Sequence, residues 1–417
     1  MFEQTTIPEN RVRNPPRGPL SLRQLTIMLG ALTAFAPLSV DMYLPSFPSV
    51  ARTFSVDPGR VQITLSVFFL GLAAGQAVYG PLSDRYGRRR PLLVGIAIFV
   101  AASILAAVSR SLESLVAWRL VQALGGSAGM VISRAVVRDL FDERESARVF
   151  SFLILVMGLA PILAPTIGGY ILLFAGWRAI FGLLAAFGTG CFVVAGLYLA
   201  ETLPQEFRRR QNFTGIFRTY GRVISTPAFL FPAMTSALIM AGMFAYITGS
   251  PFIFIELHGL TPRQYGFLFG LNATGLIAAS QLNRTALSRW PPRTILKWAV
   301  RAHLLSAITL LAMAGSAQLA LLTVPLWFVV ASLGFINPNA IAIAMSEGSE
   351  FAGSASAVLG VLQFSTGALA GGLVAWFHND TAYPMALAIA GLSLAGFIVQ
   401  TLGQRRAVKA ERASGSH

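Results

Sequence analysis

The chain has 417 residues, of which 55% are hydrophobic and only 12% charged, with a formal net charge of +15 and a mean hydropathy of +0.65. A soluble domain carries about 25% charged residues, so this composition excludes a water-soluble fold and leaves a membrane protein. The basic residues sit in short clusters between apolar runs, which excludes a nucleic-acid-binding module, where they would gather on one wetted face.

Residues 1–23 hold Arg11, Arg13, Arg17 and Arg23 but no apolar core segment. No cleavable signal peptide is expected, and the first apolar run serves as an uncleaved membrane signal. A spanning helix needs about 20 mostly apolar residues. By that measure twelve candidate spans follow: 24–47, 61–80, 91–109, 114–137, 149–173, 178–200, 227–251, 264–284, 295–315, 318–341, 353–377 and 383–402. The eighth is interrupted by Asn272 and Gln281, and only HNDTAYP separates the last two. The long connection 201–226 divides the spans into an N-terminal half, 24–200, and a C-terminal half, 227–402, followed by a tail, 403–417.

Of the 32 basic residues, 26 fall in the N-tail, the C-tail and the connections on the same side as the linker. Five, namely Arg52, Arg60, Arg110, Arg178 and Arg263, fall in the opposite loops. The positive-inside rule then places both tails and the linker in the cytoplasm. The fold class expected is an all-α membrane protein with twelve transmembrane helices in two six-helix halves. Two such halves suggest an internal repeat. Aligning Gly71-Leu72 with Gly270-Leu271 sets Asp84-Arg85 against Asn283-Arg284, a weak echo that keeps the basic charge and loses the acid.

Two charges stand well inside spans: Asp41 in the first and Arg119 in the fourth. An intramembrane charge is costly and usually faces a cavity where it has a function. At about 1.5 Å rise per residue both lie in the outer half of the bilayer, at similar depth, so they are expected to share one cavity. Two readings of Asp41 stand: a proton carrier or substrate contact, or a structural carboxylate paired permanently with Arg119. Arg119 keeps its charge at any relevant pH, so its role is to tune Asp41 or to orient a polar substrate group. Gln122, Gly126 and Met130 follow Arg119 on one helical stripe. Gln122 either hydrogen-bonds substrate or ties helices together. The single cysteine, Cys191, lies in an apolar run and excludes an intramolecular disulfide.

GPLSDRYGRRRP (80–91) interrupts the apolar pattern between the second and third spans, and in its plainest reading anchors topology. It also resembles the loop between helices two and three of the major facilitator superfamily, with Gly80, Leu82, Asp84, Arg85, Gly87, Arg88 and Arg89 matching in order. VDMYLPSFP (40–48), RLVQALGGSAGMVISRAVVRD (119–139), GLAPILAPTIGG (158–169) and SPFIFIELHGLTPRQYGFLFGLNATG (250–275) look like the Bcr/CflA group of drug/proton antiporters within it. The resemblance implies the major facilitator fold, residence in a bacterial inner membrane, and proton-coupled export of antibiotics or other amphipathic compounds by alternating access. It further implies a cytoplasmic conformational latch of Gly80, Asp84, Arg85, Gly87, Arg88 and Asp139, with Asp84 also facing a neighbouring helix N-terminus. The Gly158, Pro161, Pro165, Gly168 and Gly169 pattern of span five is associated with antiporters in that family. From the residues alone, kinking and tight packing explain it equally.

A pocket for drug-like molecules needs apolar, aromatic and flexible walls with a few polar groups. Candidates are Asp41, Tyr43, Arg119, Gln122, Met157, Met240, Phe244, Tyr246 and Asn272. The competing transport reading is a proton-coupled carrier of one metabolite, such as a sugar or siderophore, which would call for more intramembrane Asn, Gln and acid. A membrane-embedded enzyme is disfavoured, because no H-E-x-x-H or P-loop pattern occurs. His258, His303, His378 and His417 are scattered, so no metal or other cofactor is expected. The partners expected are protons, amphipathic small molecules and the bilayer, with the protein acting as a monomer.

Overall fold

The computed structural model describes residues 20–208, 213–347 and 352–414, so Arg11, Arg13 and Arg17 of the N-tail lie outside the described residues. Every regular element among those residues is helical. The first apolar run is not one helix. It forms α1 (Leu22–Thr33), α2 (Phe35–Asp41), a 3-10 turn (Leu44–Ser46) and α3 (Phe47–Phe54), bent by 42° after α1. Proline explains both breaks. Pro37 has no N–H to return to the Thr33 carbonyl, and Pro45 has none for Asp41.

The next helix, α4 (Pro58–Tyr86), starts at an Asp57 cap that accepts from the Gly59 N–H at 2.7 Å. It ends at Gly87, whose φ of 87° suits glycine. Then come α5 (Arg89–Ala107), α6 (Leu112–Leu140) and α7 (Glu143–Tyr198). A straight 56-residue helix would measure about 84 Å, more than twice the hydrocarbon core. It is broken at Gly176 (φ 75°, ψ 173°), which turns the chain back and separates the fifth and sixth expected spans. The backbone dihedrals stay helical through Pro161 and Pro165, and the chain reverses at Gly176, between the fifth and sixth expected spans.

After a short linker helix, α8 (Phe213–Ile224), the chain forms α9 (Pro227–Pro251), a π-helical turn (Phe252–Leu257), α10 (Pro262–Ala286), α11 (Pro292–Ala312), α12 (Leu319–Glu347), α13 (Ala352–Trp376) and α14 (Tyr383–Ser414). Among the described residues, nine helices are long and apolar enough to cross a membrane, or ten if the bent first segment is one span. The expectation of twelve exceeds this for two reasons. The two arms of α7 count as one helix, and α10 is diluted by Asn272, Gln281, Asn283 and Arg284.

α1 to α7 pack into one group and α9 to α14 into another, and the groups meet along α4–α13 and α7–α10. Leu173 and Phe174 are 75% and 82% exposed, an outward apolar surface that only lipid would cover. At the end away from the linker the groups also touch. His378, before α14, stacks edge-on against Phe252 with ring centroids 4.3 Å apart. Its Nε2 lies 3.9 Å from Asp57 at the start of α4 and 3.4 Å from Asp380.

Candidate functional site

Asp41 is the last residue of α2, 4% exposed, with no ion-pair partner among the described residues. The turn that follows it packs against α9 and α10. Tyr246 and Tyr265 on those helices lie within electrostatic reach of its carboxylate. Each tyrosine is held: Asn272 Nδ2 donates to the Tyr246 hydroxyl at 3.0 Å, and the Tyr265 hydroxyl and Ser250 Oγ lie 2.9 Å apart. Phe269 stacks between them, at 5.4 and 5.9 Å. Asp41 therefore belongs to the seam between the two helix groups.

Arg119 lies elsewhere. Fully buried on α6, it sits in an aromatic cage with its guanidinium carbon 4.1 Å from the Phe68 ring centre, 4.9 Å from Tyr43 and 5.7 Å from Phe181. Nη1 donates to Gln122 Oε1 at 2.6 Å, and Gln122 Nε2 donates to Ser103 at 2.8 Å. Nε and Nη2 have no partner among the described residues. Ring faces contribute about 0.5–2 kcal/mol to a buried cation, but each unmet donor costs about 1–3 kcal/mol. The cage thus houses the charge without satisfying it. The two charges form no ion pair, so Asp41 is not the carboxylate paired permanently with Arg119 that one reading expected: the cage holds Arg119 on the α4–α6–α7 side, while the turn after Asp41 packs against α9 and α10.

Of the other expected pocket residues, Tyr43 joins the Arg119 cage and its hydroxyl accepts from Thr64 at 3.2 Å, whereas Tyr246 and Asn272 join Asp41. Phe244 packs across the seam on Phe69 at 4.4 Å and, within its own group, on Phe364 at 5.7 Å. Asn337 Nδ2 lies 3.6 Å from the Met240 sulfur. Met157 is half-buried on α7 and belongs to neither hydrogen-bonded cluster. Gly168 brings α7 onto the Met42 carbonyl beside Asp41, a contact no Cβ would permit, and Gly169 lies against Pro262. Gly158 is looser, with Ile277 3.7 Å from where a Cβ would sit. Sequence reasoning missed Phe68, Phe181, Ser103 and Tyr265, and also the chain Gln363–Ser236–Asn337 that links α13, α9 and α12 at 2.9 and 2.8 Å.

At the linker end, Arg88 is the hub. Nε donates to Asp139 at 2.8 Å, Nη1 donates to Asp84 and to Ser83, and Thr202 donates to the same Asp139 oxygen at 3.1 Å. Burial pulls the Arg88 pKa down, but hydrogen bonding and charge from Asp139 and then Asp84 outweigh it and leave the group above its ordinary value. The α5 N-terminus is capped by Glu201, which accepts from the backbone N–H groups of Arg88 at 2.7 Å and Arg89 at 3.3 Å. Its carboxylate fills the space that a Cβ on Gly87 would need. The helix-terminus carboxylate on α5 is thus Glu201, which the sequence did not single out, while Asp84 serves Arg88. Arg85 stacks over Tyr86 at 5.3 Å, and nothing lies within 4 Å of where a Gly80 Cβ would sit.

The Major Facilitator Superfamily profile matches residues 29–372. The chain is similar to an uncharacterised MFS-type transporter, YdgK, of Bacillus subtilis, with 35% identity over 91% of this chain and 96% of that one. It is also similar to a bicyclomycin resistance protein homolog of Haemophilus influenzae, with 32% identity over 86% and 90%. Among solved structures it resembles the xylose transporter XylE from E. coli in a partially occluded inward-open conformation. That match has a TM-score of 0.69, 10% identity and coverage of 90% and 96%, and it carries the fold alone.

Proposed function

We propose that this chain, which belongs to the Major Facilitator Superfamily, exports amphipathic drug-like molecules in exchange for protons. Membership makes it a multi-pass membrane transporter and not an enzyme. Counting the bent first segment, both arms of α7 and α10 as spans brings the number of crossings to twelve, six on each side of the linker. An even number keeps both tails on the basic, cytoplasmic side of a bacterial inner membrane. Alternating access then follows from rocking the two groups about the α4–α13 and α7–α10 seams.

The observation that carries the proton half is Asp41, a buried acid with no ion-pair partner among the described residues, at the seam between the groups. An acid so placed has its surroundings changed by any rocking motion. Its affinity for a proton then depends on which side is open, as antiport requires. Arg119, with two unmet donors, is available to a polar substrate group or to Asp41 in the alternate state. The drug half rests on the relative named for bicyclomycin resistance and on a wall of Tyr43, Met157, Met240, Phe244, Tyr246 and Asn272, adaptable and mostly apolar. Gln122 orients Arg119 within that site. The protein works as a monomer.

Proteoliposomes with an imposed pH gradient test this. Uphill drug flux that collapses with the gradient, and is lost in Asp41→Asn, is expected. Gradient-driven movement of a sugar or siderophore with no drug flux would replace the drug reading.

A further inference from the structure

We infer that the linker end of the C-terminal helices holds a binding site for the phosphate headgroup of an anionic phospholipid. There a crevice of about 450 Å³ opens between α9, α11, α12 and α14. In the N-terminal group the matching region is filled by the protein's own acids: Glu201 caps α5, while Asp84 and Asp139 hold Arg88. In the C-terminal group, among the described residues, the acid on the crevice is Glu347, which pairs with Arg293, and no carboxylate caps α11. α11 starts at Pro291-Pro292 with no side-chain cap. Asn283, which the repeat sets opposite Asp84, accepts from Asn339 at 2.7 Å.

The crevice instead carries donors. Gln400 is 6% exposed, lines the crevice, and its Nε2 has no partner among the described residues. Arg406 lies over the Phe231 ring at 5.2 Å with no acidic partner among the described residues. Arg293 pairs with Glu347, the one acid on the lining, at 3.0 Å, and both are solvent-accessible. A buried amide donor without an acceptor is costly, and a basic rim at a bilayer surface favours a phosphate.

The walls argue for a lipid over a free ion. Phe231, Pro232, Leu296 and Ile343 line the crevice, and an inorganic phosphate would gain nothing from them, whereas a glycerol backbone and upper acyl chain would. The crevice also lies at headgroup level. On α11 and just before it, Trp298 and Trp290 are 60% and 53% exposed, and Lys297 and Arg301 approach the Trp298 ring at 5.7 and 4.8 Å, the aromatic and basic belt of an interface.

The full chain, purified in neutral detergent, is titrated with phosphatidylglycerol, phosphatidylcholine or inorganic phosphate while its unfolding temperature is followed. Expected is a saturable rise with phosphatidylglycerol alone. Its apparent affinity should be weakened about fivefold in Arg406→Ala, weakened also in Gln400→Leu, largely kept in Arg406→Lys and unchanged in Arg110→Ala at the opposite end. Should Gln400→Leu fail to fold, the exposed double variant Arg293→Ala/Glu347→Ala takes its place, and native mass spectrometry counts the lipid retained. Equal stabilisation by phosphatidylcholine, or Arg406→Ala and Gln400→Leu responding like the unaltered chain, would overturn the site. The same rise with inorganic phosphate would assign the crevice to a free anion and overturn the lipid.

Discussion

Two regions of this molecule handle charge in opposite ways. At the linker end Arg88 is 3% exposed in its side chain and is met by Asp139, Asp84 and Ser83, while Glu201 takes the adjoining backbone donors. Within the spans, Asp41 has no ion-pair partner among the described residues and Arg119 leaves two donors unmet. The first region is what stable burial of charge demands. The second forgoes that stability, and a charge left uncompensated in one conformation is free to be compensated in another. Paired charges hold the fold; under the proposed antiport, the unpaired ones are those that move protons and substrate.

The largest expected effect tests the unpaired side. Asp41→Asn should reduce pH-driven uphill flux in proteoliposomes to the level of empty vesicles. With no ion pair to lose, its unfolding temperature should move by under about 2 °C. Near-normal uphill transport would remove Asp41 from coupling. Arg119→Ala should follow, cutting flux more than Arg119→Lys, since Lys keeps the charge but lacks the planar fork. A double-mutant cycle of Asp41→Asn with Arg119→Ala, read in stability, should give a coupling under about 0.5 kcal/mol. A larger value would mean a resting ion pair and break the contrast.

The paired side should respond in stability first. Arg88→Ala strands two carboxylates and should cost about 2–4 kcal/mol. In a cycle with Asp139→Ala, the coupling should exceed about 1 kcal/mol, measured by denaturation in detergent. Glu201→Gln keeps the shape and removes the charge at the α5 terminus, for a loss of about 0.5–1.5 kcal/mol. Asp84→Asn should cost least, under about 1 kcal/mol, because its side chain is 37% exposed. Its effect should instead appear as a changed balance between inward- and outward-open states, read from labelling of an introduced cysteine in a Cys191→Ser background. Lost drug affinity with unchanged labelling would overturn the latch reading.

By itself the sequence determined the membrane class, most spans and the two intramembrane charges, because each is a local signal. Twenty apolar residues in a row can only be stable in lipid, and one Asp or Arg within such a run stands out wherever it points. The linker-end motif was legible for the same reason, as charge packed between apolar runs. Tertiary structure alone decided who meets whom. Glu201 lies 113 residues from Arg88 along the chain, and no spacing rule joins them. Phe68 and Phe181 are two of 30 phenylalanines, and nothing in their own neighbourhoods marks them as the walls around Arg119. From rise per residue the sequence puts Asp41 and Arg119 at a similar expected depth. Whether they share a cavity depends on the faces that α2 and α6 turn toward their neighbours, which Pro37, Pro45 and the close approach of Gly168 to Met42 decide only once the helices are packed.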